Sequence, residues 1–397
     1  MEITIFKKNE ITFDLFKTQE LFNNIVFTEI SSLKKEIYGN FKELDETKAK
    51  LDLLDRNAER SRRAAAKYLN EYELIKLLCK KQVISRAYFK LYEMIYFEQV
   101  IINENCDCFF ICEAPGGFIE CVTDIRRKKN LRTNYISISK FDNLIKYSNY
   151  LEPKYLLYGD ITDISILNKT INSVQNRFPN GLDLVTADGG FDIKDYIAQE
   201  IISSKLLLCE IYIALKTQKT GGTFIIKFFD MFTHNTIIYY LLLCSFYNYV
   251  KIIKPKSSRN CNSERYLVCS NFKKDENLLN DIYTIINNFQ IKSNSVTLIY
   301  PNFNFTTFSL FNFKKLFSFN NLIIYEQIKT INESIKMVNN KDTYFQNLLL
   351  SIFIDNKNPE VNKLKLIIFK NILASRIKKC IDFLRMYNIN INQLKLS

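Results

Sequence analysis

The sequence predicts an α/β fold: a mostly parallel sheet with helices on both faces, extended at each end by mainly helical segments. Two observations carry this prediction. Between about residues 81 and 272, short apolar runs alternate with amphipathic stretches long enough to be helices. Outside that span the alternation stops, and the clearest remaining pattern is helical spacing of apolar residues. The expected divisions are an N-terminal helical extension over 1–80, the α/β domain over 81–272 and a largely helical C-terminal accessory region over 273–397.

In the first segment, "LDETKAKLDLLDRNAERSRRAAAKYLNEYELIKLLCKK" carries leucines and alanines at helical spacing, with no proline or glycine. Arg56, Arg60, Arg62, Arg63 and Lys67 add a basic cluster that suits either RNA phosphates or solvent. In the second, "CFFIC", "NYISIS", "YLLYGD", "LDLVTAD", "GGTFIIKFF" and "RYLVCS" predict strands, and "DYIAQEIISSKLLLCEIYIALK" predicts a helix between two of them. Sheets built this way bind ligands outside the carboxyl ends of their strands, so residues just after each apolar run are the ones to read for chemistry. In the third, "YPNFNFTTFSLFNFKKLFSFNN" is rich in Phe and Asn without a motif, and "LKLIIFKNILASRIKKCIDFLRMYNI" has helical spacing.

Composition narrows the class. The 397-residue chain is 47% hydrophobic, enough for a sizeable core, and its formal net charge is +13. That charge suits a polyanionic partner or a lysine-rich solvated surface. There are ten cysteines but a single histidine, His234, and no paired C-x-x-C motif, so no metal site is expected. The first residues lack a signal-peptide core, and the longest apolar run, Thr236–Val250, is short for a membrane span and reads as a buried helix. Reduced thiols and a cytoplasmic setting, with no membrane partner, are the expectation.

The stretch "FFICEAPGGFIECV" concentrates the local punctuation: Pro115, Gly116 and Gly117 sit between an apolar run and an amphipathic one. This is strand, tight turn and helix start, where a backbone can approach a ligand and a helix N-terminus favours an anion. A dinucleotide would require G-x-G-x-x-G and an acid ending the next strand, and neither is present. A ligand with a carboxylate, an amine and an adenosine fits better. The helix N-terminus would take the carboxylate, Glu113 would lie near the cationic part, and Asp160 would accept from the adenine amino group. That describes S-adenosylmethionine.

Further positions add chemistry. Asp188 ends an apolar run and precedes two glycines, Lys227 sits inside the apolar run "FIIKFF", Glu264 lies just before "YLVC", and Lys90 falls on an expected helix. A buried ammonium is costly unless it is paired or its pKa falls. Two neighbouring lysines would lower one another, so Lys227 is expected to be partly neutral and available as a base.

With "CEAPGGF", "TADGG", "IIKFF" and "KPKSSRNCNSERY" in this order and spacing, the sequence resembles the FtsJ/RrmJ-like ribose 2′-O-methyltransferases over roughly residues 85–270. It is most similar to their mRNA-cap branch, which includes members encoded by large DNA viruses. Glycines follow Asp188 where the ribosomal enzymes carry Met-Ala-Pro, and a serine-rich segment precedes the last strand. The resemblance implies a Rossmann-like S-adenosylmethionine-dependent sheet and a catalytic tetrad at Lys90, Asp188, Lys227 and Glu264. It places the cofactor contacts on Glu113, Ala114, Pro115, Gly116, Gly117, Phe118, Asp160 and Asp188. It implies RNA, the capped 5′ end of mRNA, as substrate, with capping enzymes as partners, no DNA specificity and no metal. For a virus-encoded member the setting extends to a viral factory or virion, and the nucleus is the alternative. Departures are Glu113 for the common Asp, no ribose-binding acid on the second strand, and Arg259-Asn260 for Arg-Pro. Two alternatives stay open: an inactive RNA-binding subunit of a capping complex, and a methyltransferase of ribosomal or transfer RNA.

Overall fold

A computed structural model describes residues 5–7, 42–51, 53–54, 56–98, 100, 106–140, 155–190, 199–231, 234–287, 310–339 and 374–391. Its strands are β1 (Ile5–Lys7), β2 (Asp107–Ile111), β3 (Asn134–Ser139), β4 (Leu156–Tyr158), β5 (Leu182–Ala187), β6 (Gln218–Phe228), β7 (Tyr247–Ile253) and β8 (Arg265–Phe272). Its helices are α1 (Arg56–Leu69), α2 (Ile75–Leu78), α3 (Ala87–Phe97), α4 (Gly117–Lys128), α5 (Ile164–Arg177), α6 (Gln199–Thr217), α7 (His234–Phe246), α8 (Glu276–Asn287), α9 (Leu310–Asn339) and α10 (Ala374–Met386).

The chain divides into two compact units, each discontinuous in sequence. One comprises Met1–Lys35, Ala87–Pro255 and Glu264–Ser318; the other comprises Glu36–Arg86, Lys256–Ser263 and Phe319–Ser397. The three consecutive segments read from the sequence are therefore interleaved.

The first unit holds one eight-stranded sheet in the order β1-β7-β8-β6-β5-β2-β3-β4. From β4 to β6 neighbouring strands are parallel; β8 runs antiparallel to both β6 and β7. The chain builds outward from β2 to β4, then returns to lay β5 on the other side of β2. The gap between β2 and β5 is thus the point where strand order reverses, the place where such sheets seat ligands. Phe109, Phe110, Val185, Phe224 and Ile225 have no exposed surface, because the central strands are covered on both faces.

One expectation is corrected. The run Thr236–Val250 is not one buried helix: α7 ends at Phe246 and β7 begins at Tyr247. From Tyr247 the chain is extended and pairs antiparallel with β8, Tyr247 opposite Phe272 and Val250 opposite Cys269. Within the mainly helical N-terminal segment, β1 adds a short antiparallel strand to β7.

The second unit draws its described parts together with charge and backbone contacts. Arg259 Nη2 lies 2.7 Å from Glu73 Oε1, Arg86 also pairs with Glu73, and Asn70 Nδ2 donates to Glu73 Oε2 at 2.8 Å. Cys79 bridges to Ile391, and Lys80 N–H donates to the Asn390 carbonyl at 2.8 Å. No helix of the described residues is long and apolar enough to cross a membrane.

Candidate active site

Register brings the charged residues together. In the parallel β5–β6 pair, Ala187 stands opposite Ile226, so the next residues along, Asp188 and Lys227, emerge side by side. Lys227 Nζ lies 3.0 Å from Asp188 Oδ1 and donates to the Asp188 backbone carbonyl at 2.8 Å. In the antiparallel β6–β8 pair, Lys227 stands opposite Tyr266. Tyr266 O–H donates to Asp188 Oδ1 at 2.9 Å, giving that oxygen a second donor. Glu264 immediately precedes β8. It meets Lys90, brought in by α3, with Nζ 2.7 Å from Oε1 and 2.8 Å from Oε2. The four predicted side chains form two ion pairs, Lys227–Asp188 and Lys90–Glu264, with exposures between 10% and 17%.

Electrostatics corrects one expectation. Burial pulls the Lys227 ammonium down, but Asp188, Glu264 and Glu210 overcome it, and its pKa stands above the ordinary lysine value. Lys227 is a paired cation rather than a partly neutral amine. Burial alone would raise Glu264, yet Lys90, Lys227 and Lys254 together hold it far below the usual carboxylate range. Lys254 also donates to the Glu264 carbonyl at 2.7 Å.

The turn after β2 is built around Glu113. Cys112 takes a φ of 57°, the Ala114–Pro115 bond is cis, and Gly116 N–H donates to the Glu113 carbonyl at 2.6 Å, closing the turn before α4. Gly116, with φ 103°, opens that helix in a conformation open to glycine. Ala114 N–H donates to Ser139 Oγ at 3.1 Å, tying the turn to the end of β3. Glu113 is buried, and its carboxyl accepts from Phe118 N–H and from Ile119 N–H. This corrects the expectation that the α4 N-terminus waits open for a ligand carboxylate: those N–H groups are already satisfied from within. Burial and then nearby Asp188 push the Glu113 carboxyl well up, and its Oε2 is buried without a partner. Gly117 and Phe118 begin the helix, and the Phe118 ring lies 6.0 Å from that of Tyr266.

Asp160 faces the same strand ends from β4 and joins neither ion pair. Its Oδ1 accepts from Thr162 N–H at 3.0 Å and from Thr162 Oγ1 at 2.7 Å; Oδ2 lies 2.8 Å from Lys140 Nζ. Burial raises it, but Lys140 and Thr162 together outweigh that and hold the carboxyl below its ordinary value. Among the described residues no group of three His, Cys, Asp or Glu side chains could hold a metal ion.

Sequence reasoning passed over Tyr266, Lys254, Ser139 and Glu210. A polar residue closing an apolar run marked Ser139 and Lys254; for Tyr266 only the antiparallel register reveals the contact.

Fold and site together define an α/β domain with a lysine–carboxylate centre where β5, β6 and β8 meet, beside the point where strand order reverses. Comparison with known proteins makes this specific: residues 83–272 match the model described as FtsJ-like methyltransferase. Over 257 residues the chain is 33% identical to the mouse protein named cap-specific mRNA (nucleoside-2′-O-)-methyltransferase 1, covering 57% of this chain and 30% of that one. Over 219 residues it is 29% identical to the zebrafish cap-specific mRNA (nucleoside-2′-O-)-methyltransferase 2, covering 50% of this chain and 29% of the relative. The chain thus spans less than a third of the length of these curated relatives. A solved structure described as a ribosomal RNA methyltransferase from Plasmodium falciparum is 24% identical, with a TM-score of 0.40, covering 48% of this chain and 99% of that one.

Proposed function

We propose that this protein is an S-adenosylmethionine-dependent RNA ribose 2′-O-methyltransferase acting on the cap-proximal nucleotide of mRNA. The observation that carries the proposal is the pairing of Lys227 with Asp188 and Lys90 with Glu264 at the carboxyl ends of an FtsJ-like domain. The names of the curated relatives support the cap-proximal position.

The residues fit the cofactor. Glu113 Oε2 is a buried acceptor without a partner, suited to an ammonium. Glycine at 190 keeps space beside the lysine, since a Cβ there would stand 3.3 Å from Lys227 Nζ. Asp160 keeps an ionised carboxylate beside the strand ends for an amino group. When bound, S-adenosylmethionine supplies an electrophilic methyl group.

The side chains then have distinct tasks. Lys90, fixed by Glu264, points an ammonium at the oxygen on which negative charge develops. Asp188 and Tyr266 fix Lys227 so that its Nζ reaches the ribose hydroxyl and receives its proton. Because the resting Lys227 is protonated, it must lose its own proton before it can take another. The ribose hydroxyl requirement selects RNA over DNA. Capping enzymes as partners, a cytoplasmic setting and a viral source belong to the same proposal; the relatives' names support a place in cap formation and go no further.

The test uses labelled cofactor with short RNAs, capped and uncapped, and maps the modified ribose. The expected result is label on the ribose nearest the cap, with capped RNA preferred. Equal labelling of both RNAs would remove the cap from the proposal, and no ribose labelling at all would remove the activity.

A further inference from the structure

Beneath the turn that follows β5 lies a carboxyl that the chemistry above leaves unused. Glu210 comes from α6 and is 1% exposed. The Gly189 N–H and the Cys112 thiol donate to its carboxyl, while Oε1 has no partner of its own. The fit is close: a Cβ built on Gly189 would stand 2.1 Å from Glu210 Oε1, so glycine at 189 and glutamate at 210 require each other. Gly189 directly follows Asp188, whose carbonyl and carboxylate both hold Lys227.

We propose that Glu210 is a positioning residue of this site, gripping Gly189 from below and so fixing the turn that aims both Asp188 oxygens at Lys227. The groups facing it are Cys112 at the end of β2, Asp188 after β5 and Lys227 on β6, with Cys209 beside it on its own helix. Burial pushes its carboxyl up to about 8, against the pull of Lys227, of the Cys112 thiol and of Gly189 N–H. At pH 7 it is therefore a neutral acid that holds the turn without adding to the anions, Asp188 and Glu264, that already act on Lys227. Ionised, it raises the Lys227 pKa further and makes that proton harder to remove.

The effect on turnover rests on the methyl-transfer reading, so the test has two independent arms. In the kinetic arm, Glu210→Gln keeps an acceptor for Gly189 N–H and cannot ionise. Its kcat/KM should stay within about twofold of wild type at pH 7 and exceed it increasingly above pH 8. Glu210→Ala should lose about tenfold in kcat with cofactor affinity nearly unchanged, because only the aim of the pair is lost. In the second arm, with no substrate present, NMR follows the Lys227 side chain through its titration. Lys227 should lose its proton at lower pH in Glu210→Gln than in wild type. An identical Lys227 titration in the two proteins, or an Ala variant as active as wild type, overturns the inference. A shifted titration in a protein that methylates no RNA keeps the inference and removes the proposed function.

Discussion

At the scale of single residues, the proposed chemistry turns on Lys227 as proton acceptor. Its ammonium is nearly buried, 3.0 Å from Asp188, and held above its ordinary pKa by carboxylates that outweigh burial. Removing it takes away the proton acceptor while leaving the turn around Glu113 intact. Lys227→Ala should therefore abolish methyl transfer and change cofactor affinity little, which calorimetry and a turnover assay measure separately; substantial remaining turnover would exclude the role given to it. The sign of the pH dependence follows from the raised pKa. A base that must first lose a proton held above the ordinary lysine value is scarce at neutral pH, so kcat/KM should climb through the neutral and alkaline range. A plateau reached by pH 7 would mean that another group takes the proton. The sequence made Lys227 visible because an ammonium inside "FIIKFF" demands a partner, and Asp188 ended a neighbouring run. It did not make the charge state visible, because two lysines suggest mutual depression. Lys90 is paired with Glu264, which also acts on Lys227, and Lys227 is paired with Asp188, an arrangement that appears only when four distant chain segments meet.

At the scale of elements, the site is a product of register. Asp188 and Lys227 meet because β5 and β6 are paired with Ala187 opposite Ile226, and a slip by one residue would send Lys227 to the other face. At the opposite end of the strands, beyond an irregularity in the pairing between Leu182 and Leu184, Gly181 leads into β5 with a φ of +79°. A Cβ there would lie 2.7 Å from the Lys219 backbone nitrogen, so two backbones approach too closely for any side chain. Gly181→Ala should destabilise the protein by about 1–3 kcal/mol, combining left-handed strain with the collision. Urea unfolding reads this as a lowered midpoint, and an unchanged midpoint would show that the entry to β5 does not constrain the sheet. The strands themselves were legible as apolar runs, and α4 and α6 as amphipathic stretches between them. β7 was not, because its apolar residues continue those of α7 without a glycine or proline to mark the boundary. Glu210 was hidden for a related reason: on α6 it is one polar residue in "LLLCEIYIAL", and nothing local says that Gly189 sits against it.

At the scale of the whole molecule, the interleaved units depend on side chains that join segments far apart in sequence. The first unit carries the site; the second is assembled from three separate stretches, and Glu73 joins two of them. Its carboxylate takes Arg259 through Nη2 at 2.7 Å and Nε at 3.0 Å, pairs with Arg86, and accepts from Asn70 at 2.8 Å. Burial would raise this carboxyl, but the two guanidiniums and the amide bring it down to about 2. A folded-state pKa below the unfolded one stabilises the fold fully above the unfolded value, near 4.5, and the contribution is lost as pH falls toward 2. The difference corresponds to about 3 kcal/mol at neutral pH, a figure that matches the usual cost of breaking a buried pair from one side. Glu73→Gln should accordingly lower the unfolding free energy by about that amount at pH 7, and the gap to wild type should shrink to about half as the pH is lowered from 5 to 3. Denaturant unfolding of both proteins across that range measures it. A gap of the same size at pH 7 and pH 3 would show that Glu73 acts through shape rather than charge. A gap that shrinks would show that a carboxylate outside the methyltransferase domain keeps the segment just before Glu264 in place, through an ion pair whose residues lie 186 positions apart in the sequence.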